Sequence, residues 1–174
     1  TYALNQRLPE DIRIRASREV PSDFHPRKTD SVKTYEYHIL NEAFPNPVER
    51  LYSHFCYVPL DERRMQRAAQ YLTGEHDFQS FCSAGAQVES TVRTIYECSV
   101  HREGTKLTIR IQGNGFLYNM VRIIAGTLME VGRGKYPPEA VRDILEAKDR
   151  RTAGPTAPAR GLVLVSYEFP VLKE

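Results

Sequence analysis

Two groups of residues in this chain have types and spacing that could do chemistry. The first is basic and aromatic: His25, Arg27, Lys28 and Lys33 stand just ahead of Tyr35 and Tyr37. Guanidinium and ammonium groups beside exposed rings hold phosphates and stack an unpaired base. The same tyrosines facing a core would be ordinary strand packing, and this segment alone leaves both readings open. The second group is a single charge, Arg122, inside the longest apolar run of the chain, Phe116 to Gly132. On a helical wheel Leu117, Met120, Val121, Ile124, Leu128 and Val131 share one face, and Tyr118, Ala125 and Met129 lie roughly opposite, beside Arg122. A helix apolar nearly all round is buried. A buried guanidinium requires an anionic partner.

The carboxylates of the chain are poor candidates for that partner. Asp30, in Lys28-Thr29-Asp30, reads as a turn residue, and Asp77 and Asp149 read as caps or ion-pair members. Phe116 and Tyr118 stand evenly between core and site. The five histidines and three cysteines show no metal-ligand spacing, so no metal site is expected. There is no G-x-S-x-G, no Cys/His pair and no glycine-rich phosphate loop. Gly113-Asn114-Gly115 reads as a tight turn ahead of the apolar run.

The elements that must carry these side chains follow from periodicity. Leu4 to Leu8 reads as the end of a helix stopped by Pro9, and Asp11 to Val20 alternates like a strand. Phe24 to Ser31 is a loop. Lys33 to Leu40 alternates Tyr35, Tyr37 and Ile39 against Thr34, Glu36 and His38, a half-buried strand. Tyr52 to Val58 is a short strand. Asp61 caps a helix to about Thr73, with Met65, Ala68, Ala69 and Leu72 as its buried stripe. His76 to Phe81 is a turn with two buried aromatics, and Gly85 to Ser90 is a polar, mobile loop. Val92 to His101 and Lys106 to Gln112 form a hairpin about Glu103-Gly104. Helices follow at Leu117 to Val131 and Glu139 to Ala147, the second with proline near its first turn. Leu162 to Phe169 is a last strand. This order gives an α+β fold, a mostly antiparallel sheet with helices packed on one face.

A length of 174 residues fits one domain, with residues 1–20 as a possible connecting segment. The net charge of +2 is too small to indicate nucleic acid, so only local clusters can. Cys56, Cys82 and Cys98 lack a disulfide framework, which suggests reduced thiols and a cytoplasmic location. No membrane-spanning stretch is expected. The chain opens at Thr1 without methionine, and a fragment or a processed chain is the expectation.

Taken together, several segments resemble the tRNA pseudouridine synthase A family. They are Ala3-Leu4-Asn5-Gln6-Arg7-Leu8-Pro9-Glu10-Asp11-Ile12, Asp23-Phe24-His25-Pro26-Arg27 and Lys33-Thr34-Tyr35-Glu36-Tyr37, then Gly74-Glu75-His76-Asp77-Phe78-Gln79-Ser80-Phe81. Gly113 to Arg122, Gly126 to Gly132, Lys148-Asp149-Arg150 and Ala157-Pro158-Ala159-Arg160-Gly161-Leu162 continue the series along nearly the whole chain. The resemblance implies an isomerase that converts uridine to pseudouridine at positions 38 to 40 of the tRNA anticodon arm. It implies no cofactor, a homodimer and a flipped target base. By the same resemblance, Arg122 pairs with a catalytic aspartate, Tyr35 stacks on the flipped uracil, and Leu162 lines the pocket. His25, Arg27, Lys28 and Lys33 would contact RNA.

One departure matters. The family nucleophile lies in an Arg-Thr-Asp-x-Gly-Val-His motif, which is absent from this sequence. Lys28-Thr29-Asp30-Ser31 lacks the Gly-Val-His continuation and aligns elsewhere. The chain therefore looks like the C-terminal part of such an enzyme, expected to be inactive alone. The alternative is a freestanding, non-catalytic RNA-binding module.

Overall fold

A computed structural model of the protein describes residues 1–85 and 88–172. The elements in chain order are α1 (Tyr2–Asn5), β1 (Val32–Leu40), β2 (His54–Phe55), α2 (Glu62–Gln70), β3 (Gly74–Asp77) and β4 (Val92–Glu103). They continue with β5 (Lys106–Gly113), α3 (Met120–Gly132), α4 (Ala140–Ala147) and β6 (Leu162–Glu168). The strands form one sheet in the order β2-β1-β5-β4-β3, and β6 also pairs with β1. Only β1–β2 is parallel; the other pairings are antiparallel. The expected α+β architecture is what the chain adopts.

The core follows from alternation. In β5, Leu107, Ile109 and Ile111 are fully buried, while Thr108, Arg110 and Gln112 between them are half-buried. The buried set joins Tyr37 and Ile39 of β1, Met65 and Ala68 of α2, Val141 of α4 and most of α3 in one cluster. On the other face Glu36 accepts from Arg110 at 2.8 Å and meets His38 at 3.0 Å. Glu36 is held below the ordinary carboxylate range, first by its hydrogen bond to His38 and then by Arg110. Asp61 caps α2 as expected, accepting from the backbone N–H of Arg63 and Arg64. The β4–β5 hairpin turns at Gly104, with φ +59°.

Four expectations change. Residues 11–20 form no strand: Ile12 is 48% exposed, and the segment is held instead by the side chain of Asn5 on the backbone of Ile14. Alternation supplies a face but not a partner, and β6 occupies the edge of β1 along Val32 to Tyr37. The strand expected over 52–58 contracts to β2. β3 appears where a turn was expected, because Gly74 to Asp77 is polar and short and its pairing comes wholly from β4. The helix expected from Leu117 starts at Met120, since Asn119 takes a left-handed φ of 61°. Tyr118 therefore falls outside the helix and is 59% exposed, whereas every residue of α3 except Arg122 is buried. Of the loop expected over 85–90, Ala86 and Gln87 lie outside the described residues. Among the described residues no helix is long and apolar enough to cross a membrane.

Candidate active site

Arg122 sits on the first turn of α3, and its position is fixed from two sides. Its Nε donates to the Ala157 carbonyl at 2.7 Å and its Nη1 to Asn119 Oδ1 at 3.0 Å. Ala157 in turn donates its backbone N–H to the Arg122 carbonyl at 3.1 Å. The next carbonyl, Pro158, accepts from the hydroxyl of the fully buried Tyr37 at 2.8 Å, and burial raises the pKa of that phenol. Gly154 N–H donates to Thr127 Oγ1 at 2.9 Å. The segment 153–158 and α3 thus meet backbone to backbone. A Cβ at Gly126 would lie 1.8 Å from the Pro155 oxygen, so only glycine permits the approach.

The guanidinium is held but not neutralised. Among the described residues no carboxylate lies within ion-pair distance of Arg122. Its remaining nitrogen, Nη2, makes no hydrogen bond there. Asp77 and Asp149 are spoken for. Asp77 binds Thr91, Lys148 and the Gln79 N–H, and these hold its carboxyl low, the Thr91 hydrogen bond most of all. Asp149 accepts from the side chain and backbone of Arg151, which bring it to about 2. Cys98 is no nucleophile, its thiol pushed up to about 12 by burial.

Arg122, Tyr35, Phe116 and Leu162 line one cavity of about 160 Å³. Tyr35 meets the edge of Phe116 at 5.2 Å between ring centres and 86° between planes. Tyr35 reaches the cavity from β1, and Leu162 from the first position of β6, in register with Tyr37. Burial, and then the neighbouring Tyr167, raise the pKa of Tyr35, so it stands as a neutral phenol. Phe116 is partly buried against the core and also borders the cavity; Tyr118 does not line it.

Phe116 is also a wall of a larger groove, about 640 Å³, lined by Arg27, Lys28 and Lys33. The loop that carries the first two is pinned to β6: Phe24 packs on Phe169 at 5.0 Å, and the Tyr167 hydroxyl donates to the Pro26 carbonyl. The Lys33 ammonium lies 4.6 Å from the centre of the Tyr167 ring. His25 does not line the groove. It shapes the loop, its Nδ1 accepting from Arg27 N–H and its carbonyl from Lys28 and Thr29 N–H.

The structure thus brings Tyr35, Arg122 and Leu162 together, sets Arg27, Lys28 and Lys33 beside them, and gives His25 a local role. Sequence reasoning missed Asn119 and the 153–158 carbonyls, and of the two tyrosines it left open, Tyr37 is a core residue. The spacing of Asn119 to Arg122, one helical turn, was the available signal for the first.

Comparison with known proteins gives the family. A family model described as tRNA pseudouridine synthase matches residues 68–170. The chain is 50% identical over 161 residues to a tRNA pseudouridine synthase A of Halalkalibacterium halodurans, covering 92% of this chain and 61% of that relative. It is 50% identical over 163 residues to one of Brevibacillus brevis, covering 94% and 67%, and 48% identical over 169 residues to one of Acetivibrio thermocellus, covering 97% and 69%. The chain thus spans about 61% to 69% of the length of these relatives. With half of its residues shared along nearly its full length, the chain belongs to the tRNA pseudouridine synthase A family.

Proposed function

We propose that this chain supplies the RNA-binding surface and one half of the uridine-isomerising site of a tRNA pseudouridine synthase, acting on the anticodon arm at positions 38 to 40. The observation that carries the reading is Arg122, a guanidinium fixed on two edges with no carboxylate in reach, at the wall of a cavity with an aromatic ring. A fixed, unneutralised guanidinium is the complement of a carboxylate brought from elsewhere. We assign that carboxylate to the aspartate of an Arg-Thr-Asp-x-Gly-Val-His segment outside these 174 residues. It attacks the flipped nucleotide, and the bond from the ribose to N1 of the base breaks. The base turns, its C5 bonds to the ribose, and the bond to the aspartate breaks, which returns the free carboxylate. C5 loses a proton and N1 gains one. The reaction is an isomerisation and balances within the substrate, with no cofactor. A homodimer in the cytoplasm belongs to the same reading and rests on the family likeness.

In the site, Tyr35 is the stacking surface for the uracil and Leu162 an apolar wall. The raised pKa of Tyr35 disfavours a phenolate base and favours stacking by a neutral ring. Arg27, Lys28 and Lys33 hold backbone phosphates.

The test is pseudouridine formation in tRNA, read by mass spectrometry after carbodiimide labelling. The chain alone is expected to form none. The same chain joined to a segment bearing the aspartate motif is expected to form it in the anticodon arm. Product from the chain alone would overturn the shared site, and no product from the joined protein would overturn the synthase reading.

Two substitutions refine it. In the joined enzyme, Tyr35→Ala is expected to lose about 1–3 kcal/mol of stacking, seen as a higher KM. Tyr35→Phe keeps the ring and the KM, and lowers kcat only as far as the hydroxyl handles the C5 proton. Unchanged kinetics in Tyr35→Ala would remove this residue from the site. Arg27→Ala and Lys28→Ala are each expected to weaken RNA binding alike across sequences and to flatten the salt slope by about 0.7–0.9. A slope equal to the parent's rules out a phosphate contact.

A further inference from the structure

The groove beside the cavity contains two residues that the proposed chemistry does not use, Arg93 and Tyr96, both on β4. Tyr96 sits at an irregularity of the sheet. Ile95 pairs with Gly113 and Glu97 with Gln112, so Tyr96 is the extra residue of a bulge. A bulge leaves one residue out of the ladder and re-aims its side chain. Here the ring that leaves the ladder is 49% exposed and lines the groove. The end of β5 opposite comes close to the backbone there: a Cβ at Gly113 would meet the Thr94 carbonyl at 2.7 Å.

Arg93 is oriented by main-chain carbonyls, not by acids. Its Nη1 donates to Val92 O at 2.6 Å and to Ser90 O at 2.9 Å. Arg27, Lys28, Lys33 and Arg93 all line the groove, and among the described residues none of the four is in an ion pair. One carboxylate, Asp30, lies among them. Keeping four cations together against a single carboxylate costs energy through mutual repulsion, and a polyanion removes that cost. Phe116 is shared by groove and cavity, so the two lie side by side.

We propose that this groove holds the single-stranded RNA flanking the flipped nucleotide, with Tyr96 stacking a second, unpaired base and Arg93 binding a phosphate. The inference rests on the RNA substrate proposed above and adds a second base-binding position to it. An aromatic platform beside a line of cations is how single strands are held without sequence readout.

The test is fluorescence anisotropy of this chain with a fluorescein-labelled anticodon-arm hairpin and with labelled oligouridine, over a salt series. Tyr96→Ala is expected to weaken both about tenfold with the salt slope unchanged, and Tyr96→Phe to restore them. Arg93→Gln is expected to lower the slope by about 0.7. Circular dichroism melting checks that each variant stays folded, and both sites are on the groove surface, outside the core cluster. Three results overturn the proposal: affinity within twofold in Tyr96→Ala, a parental slope in Arg93→Gln, or a polyglutamate peptide bound as tightly as RNA. Failure of the unmodified chain to hold the hairpin at about 50 mM salt overturns it too, since electrostatic binding is strong there. None of these touches the synthase reading, which is decided by product formation in the joined protein.

Discussion

Replacing Arg122 by glutamine in an enzyme carrying the aspartate motif is expected to lower kcat about a thousandfold while the Kd for tRNA stays within about threefold. Once the second half of the site covers this half-buried guanidinium, removing one partner of the pair costs about 3–5 kcal/mol, because the other charge stays behind unpaired. Each 1.36 kcal/mol is about a factor of ten in rate. The effect falls on kcat because Arg122 is absent from the basic groove and lines the small cavity instead. Arg122→Lys should not rescue it. An ammonium is a point charge, whereas this guanidinium spends one edge on Ala157 O, a second nitrogen on Asn119 Oδ1, and keeps a third for the partner. Single-turnover pseudouridine formation together with tRNA affinity measures both quantities. A kcat within tenfold of the parent would remove Arg122 from the reacting pair.

The second large effect is on stability. Gly126→Ala places a Cβ 1.8 Å from the Pro155 oxygen and 2.9 Å from its carbonyl carbon. Both are backbone atoms, and the segment cannot retreat without breaking the bonds from Gly154 to Thr127 and between Ala157 and Arg122. Overpacking of this kind costs about 3 kcal/mol or more, which for a chain of this size lowers Tm by about 6–12 °C. The sign is informative, since alanine in a free helix is favoured over glycine by up to about 1 kcal/mol. A rise in Tm would show that α3 and the 153–158 segment do not meet as described. Retreat of that segment also moves the Ala157 carbonyl away from Arg122, so the joined enzyme should lose turnover as well as stability.

Some of this was legible in the residues themselves. The hairpin about Glu103-Gly104, the Asp61 cap, the buried stripe of α2 and the buried face of β5 depend on local period and local hydrogen bonding, and all are present. The anomaly of Arg122, one charge in an apolar run, was legible too, but its expected burial is corrected: it is half-buried, the one residue of α3 not buried, because it lies on the first turn. Other features were not legible. Residues 11–20 alternate as a strand should, yet they pair with no strand, and the β1 edge along Val32 to Tyr37 is taken by β6. Gly74 to Asp77 has no apolar period and is a strand only because β4 lies alongside. Asn119 is one residue whose left-handed φ starts α3 three positions later than the apolar run suggests.

The sequence by itself determined most of the inventory: the hairpin, the helices α2 to α4, the clustered cations ahead of Tyr35, and one guanidinium in an apolar run. It did so because helix and strand periods, caps and turns are set by neighbours a few residues apart. The tertiary structure decided which of these meet. Tyr35, Arg122 and Leu162 share a cavity through the pairing of β1 with β6 and the seating of α3. Arg93 and Tyr96 join Arg27 and Lys33 through a bulge in the β4–β5 ladder. The guanidinium is aimed by a carbonyl of a segment that Gly126 lets approach α3 closely. Register, bulges and close backbone approach are properties of pairs of segments far apart in the chain, and no local pattern encodes them.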